Sequence, residues 1–190
     1  CTLEGRSRSL RAGTGDIAQM LAARYPDAQI LALDLTEQML LRAKDRRIST
    51  PVLWSRQDMM HMAVKTDCAD ILTGGYAIRN APQLENTLLE INRVLRPGGI
   101  AAFLDFSKPK QRALQKAEFW LLKLWCGFWG ALFHRNPEVY SYIAESLNRF
   151  PDRAQLRRIF REKGFAELFS KRFFFGVIEV VIVQKESGAR

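Results

Sequence analysis

Two adjacent polar residues, Arg79 and Asn80, lie between a short apolar run at 69–72 and a helical segment that ends in the letters NRVLRPGG. The apolar run has the length and composition of a buried strand, which places Arg79 and Asn80 just beyond its carboxyl end. Ligands of open α/β sheets bind at that edge. Because a core segment has no use for an Arg-Asn pair in this position, the pair predicts a ligand site.

A second group of residues has the spacing of an adenosine-binding site. Gly13, Thr14 and Gly15 stand at a predicted strand-to-helix turn, and Asp34 ends the next predicted strand about 20 residues later. Glycines let the backbone approach a ligand closely, and the carboxylate can accept hydrogen bonds from both ribose hydroxyls. The third glycine of the dinucleotide fingerprint GxGxxG is absent, which favours a nucleoside ligand over NAD. Turn glycines also occur for purely structural reasons.

Asp58 and Met59 follow the third predicted strand. In a binding role, the Asp58 carboxylate accepts a hydrogen bond from an adenine amino group, and Met59 packs on the ring. The structural alternative is an exposed loop aspartate. Since Asp58 falls in register with Asp34 and the glycine turn at the carboxyl edge of the predicted sheet, we favour the binding role.

These residues are positioned by alternating strand and helix patterns, which predict an α/β fold with a mostly parallel sheet. Continuous apolar runs indicate strands at 30–33, 52–54, 69–72 and 100–106. Apolar residues at helical spacing indicate helices at 17–24, 37–43, 84–95 and 153–163, and Pro97-Gly98-Gly99 ends the third of them. Two further strands, at 166–173 and 177–183, are predicted to form an antiparallel edge hairpin.

Composition limits the classes of function. The chain has 190 residues, of which 47% are hydrophobic and 26% charged, and these are values of a globular domain rather than of a disordered protein. The formal net charge is +9. No RNA- or DNA-binding motif accompanies that charge, so a nucleic-acid partner is not expected, while an anionic membrane surface stays open.

Cysteine and histidine usage indicates the compartment and the metal content. Three widely spaced cysteines favour reduced thiols and therefore a cytoplasmic protein, and two isolated histidines offer no metal site. The longest apolar stretch, 119–133, is shorter than the roughly 20 residues that cross a bilayer. We therefore expect a soluble or peripheral protein, in the second case on the inner face of the membrane.

The motifs together resemble those of the ubiquinone/menaquinone biosynthesis C-methyltransferase family, whose members are class I S-adenosylmethionine methyltransferases. The resemblance covers residues 10–185 in unbroken order, and its middle and C-terminal motifs are specific to this family. It is carried by GTGDIA at 13–18, Asp34 with Met39-Leu40, Gln57-Asp58, YAIRN at 76–80, RVLRPGG at 93–99, FSKP at 106–109, YSYIAES at 140–146, FPD at 150–152, KGF at 163–165 and Phe175-Gly176.

The resemblance implies a Rossmann-like fold, with a mostly parallel seven-stranded sheet and an antiparallel C-terminal strand. It implies S-adenosylmethionine as the cofactor and adds Leu35, Met39 and Gly75 to the predicted cofactor site. The implied acceptor is a polyprenylated benzoquinol or naphthoquinol, methylated on a ring carbon. In that mechanism Arg79 stabilises the developing phenolate and Asn80 orients it. The alternative for Arg79 is a structural ion pair.

Residues 110–150 are expected to form a helical substrate or lid insertion within one domain that spans 1–190. Their aromatic part, 119–133, is either core under the sheet edge or a path for a prenyl tail, with contact to the membrane that holds the acceptor. Four basic residues lie upstream and would meet anionic headgroups: Lys108, Lys110, Arg112 and Lys116. A homodimer is left open.

The chain departs from the family pattern near both ends. Ser9 stands where the family has an acid that serves the cofactor's amino group, and Arg6 and Arg8 would be buried in a central strand, so a degraded first strand is expected. The resemblance also implies an N-terminal family segment before Cys1, and we expect that segment to be missing. Asp105 stands where the family more often has Glu, and Val181 stands where it tends to have His.

These departures leave three functions open. The leading one is methylation of a prenylated quinol. The second is a catalytically impaired relative that acts as a lipid-binding or assembly partner. The third keeps methyl transfer but takes another small hydroxylated aromatic as acceptor. The first nine residues are either the product of a truncation or frame accident, or native to a divergent member.

Overall fold

The computed structural model describes residues 7–10, 15–44, 52–108, 146–147 and 149–188. Its strands are β1 (Ser7–Leu10), β2 (Ile30–Asp34), β3 (Val52–Arg56), β4 (Ala69–Gly75), β5 (Leu95–Phe106), β6 (Phe165–Phe173) and β7 (Ile178–Lys185). Its helices are α1 (Asp16–Arg24), α2 (Glu37–Lys44), α3 (Leu84–Val94) and α4 (Arg153–Glu162). Two short 3₁₀ turns cover Ile78–Asn80 and Phe174–Gly176.

The strands form one seven-stranded sheet in the order β3-β2-β1-β4-β5-β7-β6. The first five strands pair in parallel, and β7 runs antiparallel to both of its neighbours, β5 and β6. This confirms the predicted fold class and the predicted antiparallel hairpin. The order reverses between β1 and β4, so the carboxyl ends of these strands form the crevice in which α/β proteins bind ligands.

The first strand is better formed than the sequence predicted. Residues 7–10 pair in parallel with β2 on one side, where Ser9 is the partner of Ala32. On the other side they pair with β4, where Ser9 is the partner of Thr73. The backbone of the first strand thus keeps its place in the sheet, because ladder hydrogen bonds do not depend on the side chains that depart from the family pattern.

The junction between α3 and β5 also differs from the prediction. The helical pattern was expected to run through Leu95, and the strand to begin at Ile100. Instead α3 ends at Val94, and Leu95 is already extended at φ −68° and ψ 137°. A proline disfavours the helical conformation of the residue before it, and the ladder with β4 is irregular across Arg96–Gly99, so Pro97 is accommodated within the strand.

The core lies on both faces of the sheet. Successive side chains of a strand face opposite sides, so Ile30 and Ala32 of β2 join a cluster with α1 and α2, whereas Leu33 joins a larger cluster with α3 and α4. The helix α4 begins at a capping box in which Asp152 accepts from the Gln155 N–H at 2.9 Å. Strands buried on both faces explain the continuous apolar runs.

Some predictions lie outside the described residues. They include Gly13 and Thr14 of the cofactor turn, the apolar helix at 114–133, and most of the insertion predicted at 110–150. Among the helices of the described ranges, none combines the length and the apolar composition needed to cross a membrane.

Candidate active site

A cavity of about 120 Å³ opens at the carboxyl ends of β2, β3 and β4. Four of the residues predicted to bind the cofactor line it together: Asp34, Leu35, Asp58 and Met59. The remaining lining residues come from the same strand ends and from the segment after β4: Leu33, Thr36, Gln57, Asn80 and Pro82. The structure thus brings together side chains that the sequence places on three separate loops.

Asp34 is the last residue of β2 and only 6% exposed. Its Oδ1 accepts a hydrogen bond from the Thr36 N–H at 2.8 Å, and its backbone carbonyl accepts from the Gln57 N–H at 3.1 Å. The first bond shapes the turn into α2, and the second ties the ends of β2 and β3. A carboxylate held in this way is preorganised to accept hydrogen bonds from a ligand diol.

Asp58 lies in a loop that is fastened to α3. Its Oδ1 accepts from the Met60 N–H at 2.9 Å. Further along, the Met62 N–H donates to Glu90 Oε1 at 2.7 Å, and Arg93 donates to the Met62 carbonyl at 3.1 Å. Glu90 and Arg93 form an ion pair at 2.7 Å, and the Arg93 hydrogen bond is the main reason why the pKa of Glu90 is lowered.

Three other predicted cofactor residues, Gly15, Met39 and Gly75, do not line this cavity. Gly15 has φ +85°, and a Cβ there would lie 3.0 Å from Trp54 Cη2 and 3.1 Å from Ala43 Cβ. Packing against α2 and β3 is therefore one reason for a glycine at this position. Its approach to a ligand stays a prediction, as does any contact of Met39 and Gly75 with the cofactor.

Arg79 lies in the 3₁₀ turn after β4 and is 9% exposed. Its backbone N–H donates to Asp105 Oδ2 at 2.9 Å, and its Nε lies 3.4 Å from Asp105 Oδ1 without the geometry of a hydrogen bond. Nη1 donates to Ser146 Oγ, and the guanidinium carbon is 5.0 Å from the centre of the Phe106 ring. The structural ion pair that the sequence left open is thus present.

Asp105 is the next-to-last residue of β5 and is 4% exposed. Burial raises the pKa of its carboxyl group, because the charged form loses its hydration. The N–H groups of Arg79 and Phe106 and the positive charge of Arg79 act in the opposite direction. The guanidinium is therefore the positive charge that offsets part of the cost of burying this carboxylate.

Arg79 and Asn80 also line a larger pocket of about 420 Å³, together with Pro82, Ser146 and Phe150 among others. Asn80 and Pro82 belong to this pocket and to the cavity that holds Asp34. The two spaces are therefore neighbours that share one wall. We call the larger one the acceptor pocket and the smaller one the adenosine cavity.

Sequence reasoning did not single out Tyr76 as a site residue. It has φ +51°, an uncommon conformation for a bulky residue, and its carbonyl accepts from Asn80 Nδ2 at 2.7 Å. Its ring centre lies 5.3 Å from that of Phe106. The sequence signal that could have identified Tyr76 is its position just beyond a predicted strand, three residues before Arg79.

The model of the ubiE/COQ5 methyltransferase family matches residues 4–185. The chain belongs to this family. Over 169 residues it is 34% identical to the ubiquinone/menaquinone biosynthesis C-methyltransferase UbiE of Dinoroseobacter shibae, which covers 87% of the chain and 68% of that protein. Over 177 residues it is 29% identical to the demethylmenaquinone methyltransferase of Chlamydia caviae, which covers 93% and 77%.

Solved structures of low sequence identity share the fold. A SAM-dependent methyltransferase from Aquifex aeolicus superposes with a TM-score of 0.67 at 13% identity, over 95% of this chain and 82% of that one. The [4+2]-cyclase SpnF superposes with a TM-score of 0.71 at 18% identity, over 98% and 77%. Since a cyclase shares this architecture, the fold alone does not establish methyl transfer, and the family motifs carry that part of the assignment.

This family member also carries a second buried acid beside the acceptor pocket. Glu179 of β7 is 5% exposed and is the direct ladder partner of Asp105. It accepts from Ser107 Oγ at 2.6 Å and from Ser170 Oγ, and it lies 2.9 Å from Arg153 Nε. Sequence reasoning missed Glu179, although a lone acid inside an otherwise apolar strand was a readable signal.

Proposed function

We propose that this chain transfers a methyl group from S-adenosylmethionine to a ring carbon of a polyprenylated benzoquinol or naphthoquinol. One structural observation supports this most directly: the adenosine cavity and the acceptor pocket share the wall formed by Asn80 and Pro82. A donor bound in one space and an acceptor bound in the other would lie next to each other at these two shared residues. Methyl transfer requires such proximity.

The residues of the adenosine cavity fit the nucleoside part of the cofactor. We assign Asp34 to the two ribose hydroxyls and Asp58 to the adenine amino group, with Leu35 and Met59 packing on the base. The buried position of Asp34 favours this assignment, since a carboxylate with little hydration gains most from hydrogen-bond donors of a ligand. When bound, S-adenosylmethionine supplies an electrophilic methyl group on a sulfonium.

Arg79 and Asn80 are assigned to the acceptor. Loss of the proton from a quinol hydroxyl to water would leave a negative charge on oxygen and make the ortho carbon nucleophilic. Once that carbon carries the methyl group, loss of its ring proton to water would restore the aromatic ring. A guanidinium that is itself 9% exposed stabilises the charge on oxygen more strongly than one in open water, and the Asn80 amide orients the same oxygen. The contact of Arg79 with Asp105 is compatible with this role, because it fixes the guanidinium before the acceptor arrives.

A polyprenyl tail keeps the acceptor in the bilayer, so we infer that the enzyme works at a membrane surface on its cytoplasmic side. Lys108, two residues after the end of β5, lines a small cavity together with Asp105 and carries one of the positive charges predicted to meet lipid headgroups. A homodimer stays a prediction, and analytical ultracentrifugation of the purified chain will test it.

Two measurements test the proposal. Calorimetry with S-adenosylhomocysteine should give saturable heat, and its absence would exclude an active enzyme and favour the lipid-binding relative. Methyl transfer from labelled S-adenosylmethionine is then compared among a short-chain demethylmenaquinol, a short-chain benzoquinol and an unprenylated dihydroxynaphthalene. The proposal requires a higher kcat/KM for a prenylated acceptor. A preference for the unprenylated one would instead identify an enzyme for a small hydroxylated aromatic.

A further inference from the structure

The turn between β6 and β7 lies at the end of the sheet where the parallel strands finish and where the candidate active site is found. Since β6 and β7 are antiparallel and β7 is antiparallel to β5, the turn falls beside the carboxyl end of β5. Ile178 is the ladder partner of Phe106, and the Ser107 N–H donates to the Val177 carbonyl at 2.9 Å. The turn and the Asp105–Arg79 pair are therefore at the same end of the molecule.

Two aromatic side chains of this turn face solvent. Phe174 is 73% exposed, the highest value among the large hydrophobic residues of the described part of the chain, and Phe173 is 39% exposed. Phe174 also has φ +50°, a region that a bulky side chain enters at a cost and that glycine or asparagine adopts readily. A turn selected for stability alone would not place phenylalanine here, so the outward ring has another use.

Positive charge adjoins these rings. Lys171 and Arg172 precede Phe173 directly, and Lys171 Nζ lies 5.3 Å from the centre of the Phe173 ring. The whole chain carries a net charge of +9. Exposed aromatic rings next to lysine and arginine match the two zones of a bilayer surface, because rings settle at the headgroup–acyl boundary and cations bind anionic headgroups.

We propose that residues 171–174, the aromatic turn, dock on an anionic lipid bilayer and hold the carboxyl edge of the sheet against it. The inference rests on the proposed function, since a membrane-dissolved acceptor explains why the edge with the acceptor pocket should face lipid. Phe174 enters the interface, and Lys171 contacts the headgroups. This contact shortens the path of the quinol ring from the bilayer to Arg79.

The test is sedimentation of the full chain with vesicles, in the absence of cofactor and acceptor. Vesicles of phosphatidylcholine containing phosphatidylglycerol should bind the protein, and pure phosphatidylcholine vesicles should bind it much less. Phe174→Asn should weaken the partition coefficient about tenfold, and Lys171→Gln should weaken it about fivefold. Because asparagine tolerates the backbone of position 174, the first variant should keep or raise Tm, which excludes misfolding as the cause.

A matched control lies at the opposite end of the sheet, where the parallel strands begin. Tyr25, just after α1, is 41% exposed, and the Arg24 guanidinium lies 5.5 Å from its ring centre. Tyr25→Asn removes an exposed aromatic ring that lies beside an arginine, and it should leave vesicle binding unchanged. Equal binding by wild type and Phe174→Asn would overturn the proposal, as would an equal loss in Tyr25→Asn. A change of oligomeric state in Phe174→Asn would likewise overturn it and identify a second copy of the chain as the occupant.

Catalysis gives a readout that separates this inference from the proposed function. Phe174→Asn should methylate a water-soluble short-chain quinol at the wild-type rate and a vesicle-embedded quinol about tenfold more slowly. Vesicle binding without methyl transfer to any quinol would refute the proposed function and leave the docking surface in place. Methyl transfer to embedded quinol that is unaffected by Phe174→Asn would refute the docking surface alone.

Discussion

Asp105 of β5 and Glu179 of β7 are direct partners in the antiparallel ladder, and each of these buried carboxylates meets a different arginine. Asp105 faces Arg79 from the turn after β4, and Glu179 faces Arg153 from the first residue of α4. Two like charges at paired positions would repel each other, so each requires its own cation. The two ion pairs join four separate segments of the chain: the turn after β4 with β5, and α4 with β7.

Arg79 has two roles to distinguish, the structural ion pair with Asp105 and the proposed stabilisation of the phenolate. A second substitution separates them. Arg79→Met should lower the free energy of unfolding by about 3–5 kcal/mol, because the Asp105 carboxylate stays buried without its cation. Adding Asp105→Asn should restore much of that stability, since it removes the carboxylate that would otherwise stay buried without its cation. Methyl transfer should stay lost in the double variant if Arg79 stabilises the phenolate.

Urea unfolding and turnover of short-chain demethylmenaquinol measure the two effects on the same proteins. Asp105→Asn alone is the matched control, because it keeps the guanidinium in the acceptor pocket. Recovery of turnover together with stability in the double variant would mean that Arg79 serves the fold only.

The second ion pair predicts a loss of stability without a loss of cofactor binding. Glu179→Gln removes the charge that Arg153 faces, and it should cost about 3 kcal/mol of unfolding free energy. The Kd of S-adenosylhomocysteine should not change, because the adenosine cavity is built from the ends of β2, β3 and β4. Thermal unfolding measures the stability, and calorimetry measures the Kd. A weaker affinity for S-adenosylhomocysteine, measured at a temperature where the variant is fully folded, would contradict the prediction.

Periodicity predicted much of the fold because each element carries its own pattern. The continuous apolar run of β2 and the four-three-four spacing on α3 are local properties of the chain, and so is the glycine turn before α1. The start of β5 was predicted wrongly, at Ile100 instead of Leu95. Leu95 fits the apolar face of the helix at 84–95, and it fits the first position of a buried strand equally well, so the pattern does not decide between them.

The contacts within the site, in contrast to these local patterns, join residues that are far apart in the sequence. Arg79 meets Asp105 and Ser146, which are 26 and 67 residues away in sequence. Such contacts depend on which strands are neighbours and in what register, and no periodicity encodes that information. The motifs placed Arg79 at the correct edge of the sheet, whereas its counter-charge and the neighbouring Glu179 became visible only with the strand order.

The proposed ribose contact is tested by a substitution that keeps the turn. Asp34→Asn retains an oxygen that can accept from the Thr36 N–H but removes the negative charge, so Tm should change little. The affinity for S-adenosylhomocysteine should fall about tenfold to a hundredfold, the value of a charge-assisted hydrogen bond. Calorimetry measures the Kd, and an affinity equal to that of wild type would refute the ribose assignment. Asp34→Ala, which also removes the turn bond, should lower Tm in addition.

The clamp on the Asp58 loop predicts a dependence of stability on pH. The pKa of Glu90 is lowered in the folded state, chiefly by the hydrogen bond from Arg93. Its contribution is therefore complete above the ordinary value of 4.5 and is lost as the pH falls through the lower folded-state value. Glu90→Gln should lower the unfolding free energy by about 1 kcal/mol at neutral pH, and the difference from wild type should shrink in acid.

Unfolding curves recorded from neutral pH to pH 3 measure this difference. Glu162→Gln is the matched control, because Glu162 pairs with Arg158 on the exposed face of α4 at 3.4 Å and such pairs contribute little. A difference between wild type and Glu90→Gln that stays constant down to pH 3 would show that the carboxylate does not stabilise the loop.

Gly15 and Gly75, the two glycines of the predicted cofactor site that the structure describes, differ in what an added methyl group would meet. Gly15→Ala places a Cβ 3.0 Å from Trp54 Cη2 on a backbone with φ +85°, so the free energy of unfolding should fall by about 1–3 kcal/mol. Gly75→Ala meets only Ile17 Cδ1 at 3.2 Å, the far end of a flexible side chain, and should cost less than about 1 kcal/mol. If the backbone at Gly75 approaches the cofactor, Gly75→Ala should weaken S-adenosylhomocysteine binding despite its stable fold. Unchanged binding by this variant, measured by calorimetry, would remove Gly75 from the cofactor site.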